Sequence, residues 1–358
     1  FSPDGATLAS AAQDMTVCIW ATATGRLLRT FEHGASDRAR SVTSLAFSSD
    51  GRTVTSLSED LQLRVWDVST GRSVHSVAIP TDITFAPVLS PDGGIVAFPA
   101  EEWQGESGVG RDSGTVQLCS AATGEVLRHL GPGHLYMPRT VAFSPDGHTV
   151  ASACEEGKVR IWSTYTGELL NSFYPYDGLY VQSLAFSPDG RTVACGATNA
   201  ETNEPVVSVW ATHPGAVLRS RRWHNDPVAA VAFAPDGRVG ASGSIYGTVC
   251  LWSPFTGEVL QTIVVSKYDA FDSWRMRPTS LVFSPDGGVI AVASFGEEPV
   301  QLYSAATGDL VRSLTANIIT DAFAFFPDGG TVVAVSSDFK ACLWATATGE
   351  LLRTLEFD

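Results

Sequence analysis

Few groupings in this chain have residue types and spacing that could do chemistry, and each has a simpler reading. The run Gly108-Val109-Gly110-Arg111-Asp112-Ser113-Gly114 has the glycine density of a phosphate-cradling loop. Such a loop needs a helix behind it to aim backbone amides at the anion, and no helical periodicity follows. It reads as an insertion between two strands. Glu101-Glu102 have the composition of an acid/base pair, but adjacent acids in a loop are ordinarily solvated. The seven histidines are scattered, without the short spacings of metal ligands. His134, His213 and His224 sit in turns, where structural hydrogen bonding accounts for them. The six cysteines show no zinc spacing. Cys18, Cys250 and Cys342 each precede a tryptophan by two residues, Cys154 and Cys195 lie on the preceding strand type, and Cys119 takes a tryptophan position. All read as small apolar residues in sheet interiors. No catalytic residue, cofactor or metal is expected, and a reducing cytoplasm is the simplest compartment.

The elements around these residues are repetitive. Phe-Ser-Pro-Asp-Gly occurs at Phe1–Gly5, Phe143–Gly147, Phe186–Gly190 and Phe283–Gly287. Variants stand at Phe47–Gly51, Leu89–Gly93, Phe233–Gly237 and Phe325–Gly329, so the motif returns every 42 to 54 residues. A second element follows each turn, at Val17–Trp20, Leu63–Trp66, Val116–Cys119, Val159–Trp162, Val207–Trp210, Val249–Trp252, Val300–Tyr303 and Ala341–Trp344. A Thr-Gly turn comes next, replaced once by Pro214-Gly215, and an apolar run such as Leu27-Leu28 closes the unit. These runs are short, β-branched or aromatic, and bounded by Gly, Pro, Asp and Ser, which predicts strands. Pro at the second turn position presets φ, and Gly at its end takes the left-handed conformation. Four strands per unit make a small antiparallel sheet that cannot bury both faces alone. Stacking such sheets as the blades of a β-propeller buries them.

The Phe-Ser-Pro-Asp-Gly turn, the Val-x-Ile/Leu/Val-Trp strand and the Thr-Gly turn resemble those of the WD-repeat β-propeller family, tandem arrays of bacterial and fungal type, along essentially the whole chain. The departures are specific. The literal Trp-Asp pair occurs once, at Trp66-Asp67. The family's hydrogen-bonded His–Ser/Thr–Asp–Trp set is complete only in the second unit, as His33, Ser56, Asp60 and Trp66. The resemblance gives these residues a structural role. Asp14 and Asp338 fill the same turn position elsewhere, and Glu156, Glu204, Tyr246 and Glu297 replace it. Most blades are therefore expected to hold together by apolar packing alone.

The expected fold class is all-β, a β-propeller of four-stranded antiparallel blades. Eight blades are expected, with seven plus a partial unit as the alternative. Residues 1–358 read as one domain, with repeat units at about 1–32, 33–77, 78–130, 131–173, 174–221, 222–264, 265–314 and 315–358. The chain opens at Phe1 inside a turn, the innermost strand of the first unit is almost wholly absent, and a fragment of a longer chain is the expectation.

The net charge of −15 and pI near 4.8 argue against broad nucleic-acid or anionic-membrane binding, which needs a basic surface. No signal peptide or transmembrane run is evident. A protein or peptide partner is the expectation. Loops on a rigid scaffold carry function, and the longest excursions lie between blades and between second and third strands. They hold Trp103, Tyr136, Tyr174, Tyr176, Tyr180, Arg222, Trp223, Tyr246, Tyr268, Phe271, Trp274, Arg275 and Arg277. Tyr, Trp and Arg dominate interface energetics, at roughly 2 kcal/mol or more for each hot spot. A non-catalytic interaction scaffold is therefore the expected function. A recognition module of a larger signalling NTPase is the alternative. A propeller enzyme is a minor third, since the inner strands lack clustered His or carboxylates.

Overall fold

The structure is a computed structural model that describes residues 1–11, 15–33, 42–48, 50–58, 62–78, 88–102, 113–134, 138–154, 157–174, 179–199, 202, 204–212, 217–245, 247–265, 278–294, 299–315, 320–336 and 340–356. Its described residues form strands and turns and contain no helix. The chain falls into two compact units, Phe1–Ser172 and Phe173–Asp358.

In the first unit, the first blade is β1 Thr7–Ala11, β2 Thr16–Ala21 and β3 Arg26–Glu32. The second is β4 Val42–Phe47, β5 Thr53–Ser58, β6 Gln62–Asp67 and β7 Ser73–Ala78. The third is β8 Val88–Leu89, β9 Ile95–Glu102, β10 Ser113–Ser120 and β11 Val126–His134. The fourth is β12 Pro138–Phe143, β13 Thr149–Cys154, β14 Val159–Ser163 and β15 Leu169–Phe173, whose last residue opens the second unit. The fifth blade follows as β16 Leu179–Phe186, β17 Thr192–Asn199, β18 Pro205–Ala211 and β19 Val217–Arg221. The sixth is β20 Val228–Phe233, β21 Gly240–Ser244, β22 Thr248–Trp252 and β23 Val259–Val264. The seventh is β24 Pro278–Phe283, β25 Val289–Ser294, β26 Val300–Ser304 and β27 Leu310–Leu314. The eighth is β28 Thr320–Phe325, β29 Thr331–Ser336, β30 Lys340–Ala345 and β31 Leu351–Glu356. Each sheet runs in sequence order and each pairing is antiparallel. The fold class is the β-propeller with eight blades, which removes the alternative of seven plus a remainder. The first sheet has three strands and the others four.

The Pro-Asp-Gly turns behave as their residues dictate. Gly5 sits at φ +68° and its amide donates to the Ser2 carbonyl at 2.8 Å. The Ser2 hydroxyl donates to Asp4 Oδ1 at 2.6 Å, and the Ala6 amide donates to the same oxygen at 3.0 Å. A second bond latches this turn to the Thr-Gly turn of its own blade. The amide of Thr22, Val68, Ala121, Thr164, Thr212, Ala305 or Thr346 donates to a carbonyl just after the Pro-Asp-Gly turn. Thr22, Thr164 and Thr212 add their hydroxyls, each to the turn glycine's carbonyl.

The third-strand tryptophan organises each blade. In seven pairings of third with outer strand, a register shift falls at the tryptophan or its substitute, as between Ile19 and Trp20 or Val65 and Trp66. Such a bulge bends the outer strand and increases its twist. An outer-strand residue of one blade then packs on the ring of the next. Phe31 stacks on Trp66 at 5.1 Å between centroids, and Phe173 on Trp210 at 5.2 Å. Burying such rings stabilises each junction by about 2 to 3 kcal/mol per ring.

The expectation of apolar packing alone is corrected for the first and fourth blades, whereas Trp210, Trp252 and Trp344 have no partner for Nε1 among the described residues. Trp20, Trp66 and Trp162 donate through Nε1 to Ser10, Ser56 and Ser152 at 2.9, 2.8 and 2.9 Å. In the second blade His33 Nε2 also bonds Ser56, and Arg64 Nη1 donates to His33 Nδ1. An acceptor Nδ1 leaves the ring proton on Nε2, so His33 donates to Ser56. Asp60 lies outside the described residues. The sixth blade carries a related cluster, with Ser242 at the position of Ser56: His224 Nε2 meets Ser242 Oγ at 2.7 Å and Nδ1 meets Thr248 Oγ1 at 3.0 Å.

Candidate partner-binding site

The strands of the fifth blade run long at one end, which positions the described part of the aromatic loop set. β16 and β17 each span eight residues, and pairing continues out to Leu179–Asn199 and Thr198–Pro205. The connection beyond is closed locally. The Asn199 amide donates to the Glu204 carbonyl at 2.9 Å, and the Thr202 amide to Asn199 Oδ1 at 2.8 Å.

Around this end stand Tyr174, 53% exposed, and Tyr180, 40% exposed. Tyr180 lies directly across from Thr198, whose buried hydroxyl has no partner among the described residues. Arg222, just past β19, pairs with Glu204 through Nη1 and Oε1, both side chains being exposed. Glu204 was expected at a blade-stiffening turn position; its carboxylate instead belongs to this surface pair. Trp223 is half-buried and stacks on Trp252 at 5.1 Å, so much of its ring serves the junction with the sixth blade. After it, burial raises the Asp226 carboxyl above its ordinary value.

Trp103, Tyr136, Tyr176, Tyr246, Tyr268, Phe271, Trp274, Arg275 and Arg277 lie outside the described residues. Of the expected set, the structure brings Tyr180 and Arg222 to the same end of one sheet, with Tyr174 in the connection entering it. Glu204 and Thr198 were missed as neighbours. No local alternation marked them, since the ladder reaches Tyr180 and Leu179 only past a bulge between Val181 and Ser183.

Among the described residues no group of three or more His, Cys, Asp or Glu side chains could hold a metal ion. None of the helices that could cross a membrane is present among them either.

Comparison with known proteins agrees with the repeat structure. The family described as WD domain, G-beta repeat, matches residues 1–21, 25–67, 124–163, 167–200 and 215–253. Most of these stretches begin near an outer strand of one blade and end in the third strand of the next, which is the pairing that the stacked rings join. The chain is 26% identical over 167 residues to the WD repeat-containing protein VIP3 of Arabidopsis thaliana. That match spans 43% of this chain and half the length of the relative. In fold it is similar to the computationally designed Ika8 protein, with a TM-score of 0.73 at 24% identity, over 95% of this chain and 93% of that one.

Proposed function

The chain belongs to the WD-repeat family, and from that premise we propose that it is a non-catalytic scaffold that grips a peptide or protein partner with the loop ends of its blades. Propellers of this family are in general protein-interaction scaffolds. The observation that carries the reading is the exposure of Tyr174 and Tyr180 beside the Arg222–Glu204 pair. Neither tyrosine is spent on the core, and two rigid aromatic side chains next to a displaceable ion pair have the composition of an interface hot spot. An exposed pair of this kind contributes little to the fold, so a partner can replace either member at small cost.

The test is site-specific crosslinking. A photoreactive residue at Tyr180 should trap one discrete polypeptide from the native cell extract, and one at Leu260 on an outer strand should not. The adduct should disappear in the Arg222→Ala, Tyr174→Ala double variant. A smear of adducts equal at both positions, or an adduct unaffected by the double variant, would sink the reading.

A further inference from the structure

A second surface lies at the opposite ends of the same strands, in a groove of about 470 Å³ between the turns of the fifth and sixth blades. Pro188, Pro235, Pro254 and Phe255 give it an apolar floor, and Asp189 and Asp236 give it two carboxylates. Three features of the sixth blade meet here, and the first two each remove a bond that most of the repeats make.

The first is Pro254. The other seven blades latch their two turns with a backbone amide at this position. Proline has no N–H, so the latch is missing. The second is Ala234. In six blades a serine hydroxyl at this position donates to the turn aspartate, as Ser187 does to Asp189 at 2.6 Å. Alanine cannot, and Asp236 Oδ1 receives the Arg238 amide at 2.9 Å. Among the described residues its other oxygen pairs with the exposed Arg238 Nε at 3.9 Å, a weak pair. The third is Phe255. Ala23, Ser69, Ala122, Ala306 and Ala347 occupy this turn position in five other blades, so the turn does not need an aromatic ring, although the fourth blade, with Tyr165, also has one. Phe255 is 70% exposed.

We propose that this groove docks an arginine side chain from a segment of a protein partner. The aliphatic stem would lie on the prolines and the guanidinium would stack on Phe255, an attraction available to a planar cation over a ring face. Asp236 would accept from the guanidinium fork, which is the geometry a carboxylate free of the serine bond can offer. The chain's net charge of −15 favours the approach of a cationic segment. The site is separate from the loop ends around Tyr180.

The experiment is an NMR titration of the full chain, labelled at phenylalanine, with blocked Ac-Ala-Arg-Ala-NH2 and its citrulline twin. Citrulline keeps the shape and removes the charge. Expected is a saturable shift of the Phe255 ring signals with the arginine peptide, and binding at least ten-fold weaker with citrulline. Asp236→Asn should weaken arginine binding about ten-fold. Asp286→Asn, where Ser284 occupies the carboxylate, should leave it unchanged, as should Tyr180→Ala. No saturable shift, equal affinity for the two peptides, or an unaffected Asp236→Asn variant would each overturn the proposal.

Discussion

Arg312 of β27 donates from Nε and Nη2 to the carbonyl oxygen of Ala347, at 3.1 and 2.8 Å, and so ties the outer strand of the seventh blade to the Thr-Gly turn of the eighth. The same tie recurs at equivalent outer-strand positions. Arg29 Nη2 reaches the Ser69 carbonyl at 3.0 Å, Arg128 Nε the Tyr165 carbonyl at 3.3 Å, and Gln261 Nε2 the Ala306 carbonyl at 3.1 Å. The arginine stem also needs the turn glycine. A Cβ on Gly349, which sits at φ +72°, would lie 3.2 Å from Arg312 Cδ.

Arg312→Met keeps the stem and removes the donors. It should lower stability by about 1 kcal/mol, the usual net worth of such a bond. Urea denaturation checks this, and an unchanged midpoint would mean that the tie is only geometric.

His224 makes stability depend on pH. Burial lowers its pKa from the usual 6.5 to about 4. Below pH 6.5 the unfolded chain takes up a proton that the folded chain refuses, so stability falls with pH until about 4, where the folded form also titrates. The loss over that window amounts to about 3 kcal/mol. Denaturation at pH 7 and pH 4.5 measures most of it. His224→Gln retains polar atoms for Ser242 and Thr248 and should flatten that component of the slope.

Gly240 is the space that Trp252 occupies. A Cβ there would come within 2.2 Å of the ring's Cη2, where Val54, Val150, Val193 and Val332 hold the equivalent position in other blades. Trp252 lies over its own glycine, packed by Trp223 and Phe233, and its Nε1 has no partner among the described residues. Gly240→Val should therefore cost about 2 kcal/mol or more through overpacking, with a shift in tryptophan fluorescence. A neutral variant would show that the ring can move to the position its siblings use.

Cys195 stands where Ser10, Ser56 and Ser152 accept a tryptophan N–H. Trp210 Nε1 is correspondingly without a partner among the described residues. Burial pushes the Cys195 thiol up to about 12, so it should resist alkylation at neutral pH until the protein unfolds. Cys195→Ser supplies the missing acceptor at nearly the same volume. A gain of about 1 kcal/mol is expected, read as a raised denaturation midpoint, whereas a loss would show that the hydroxyl cannot reach Trp210.

Much of the fold was legible because turns are local. Pro presets φ and Gly accepts a positive φ within five consecutive residues, so Ser144-Pro145-Asp146-Gly147 marks a turn wherever it occurs. Strand count followed from the spacing of these turns. The tryptophan's surroundings were not legible, since whether it meets a serine, a cysteine or a glycine depends on the register between strands. The Pro254 groove was hidden for a related reason. Its residues come from Ser187–Thr192, Pro235–Gly237 and Pro254–Phe255, and only the assembled blades bring the three segments together.

The sequence by itself determined the blade and its repetition, because each turn is chosen by the backbone preferences of a few adjacent residues. Only the tertiary structure decided which side chains are used up in packing and which are left over. Trp223 and Tyr180 are similar as loop aromatics, yet one stacks on Trp252 and the other stands 40% exposed. That difference is set by what the neighbouring blade presents, and burial is a property of the assembled sheets rather than of residue type.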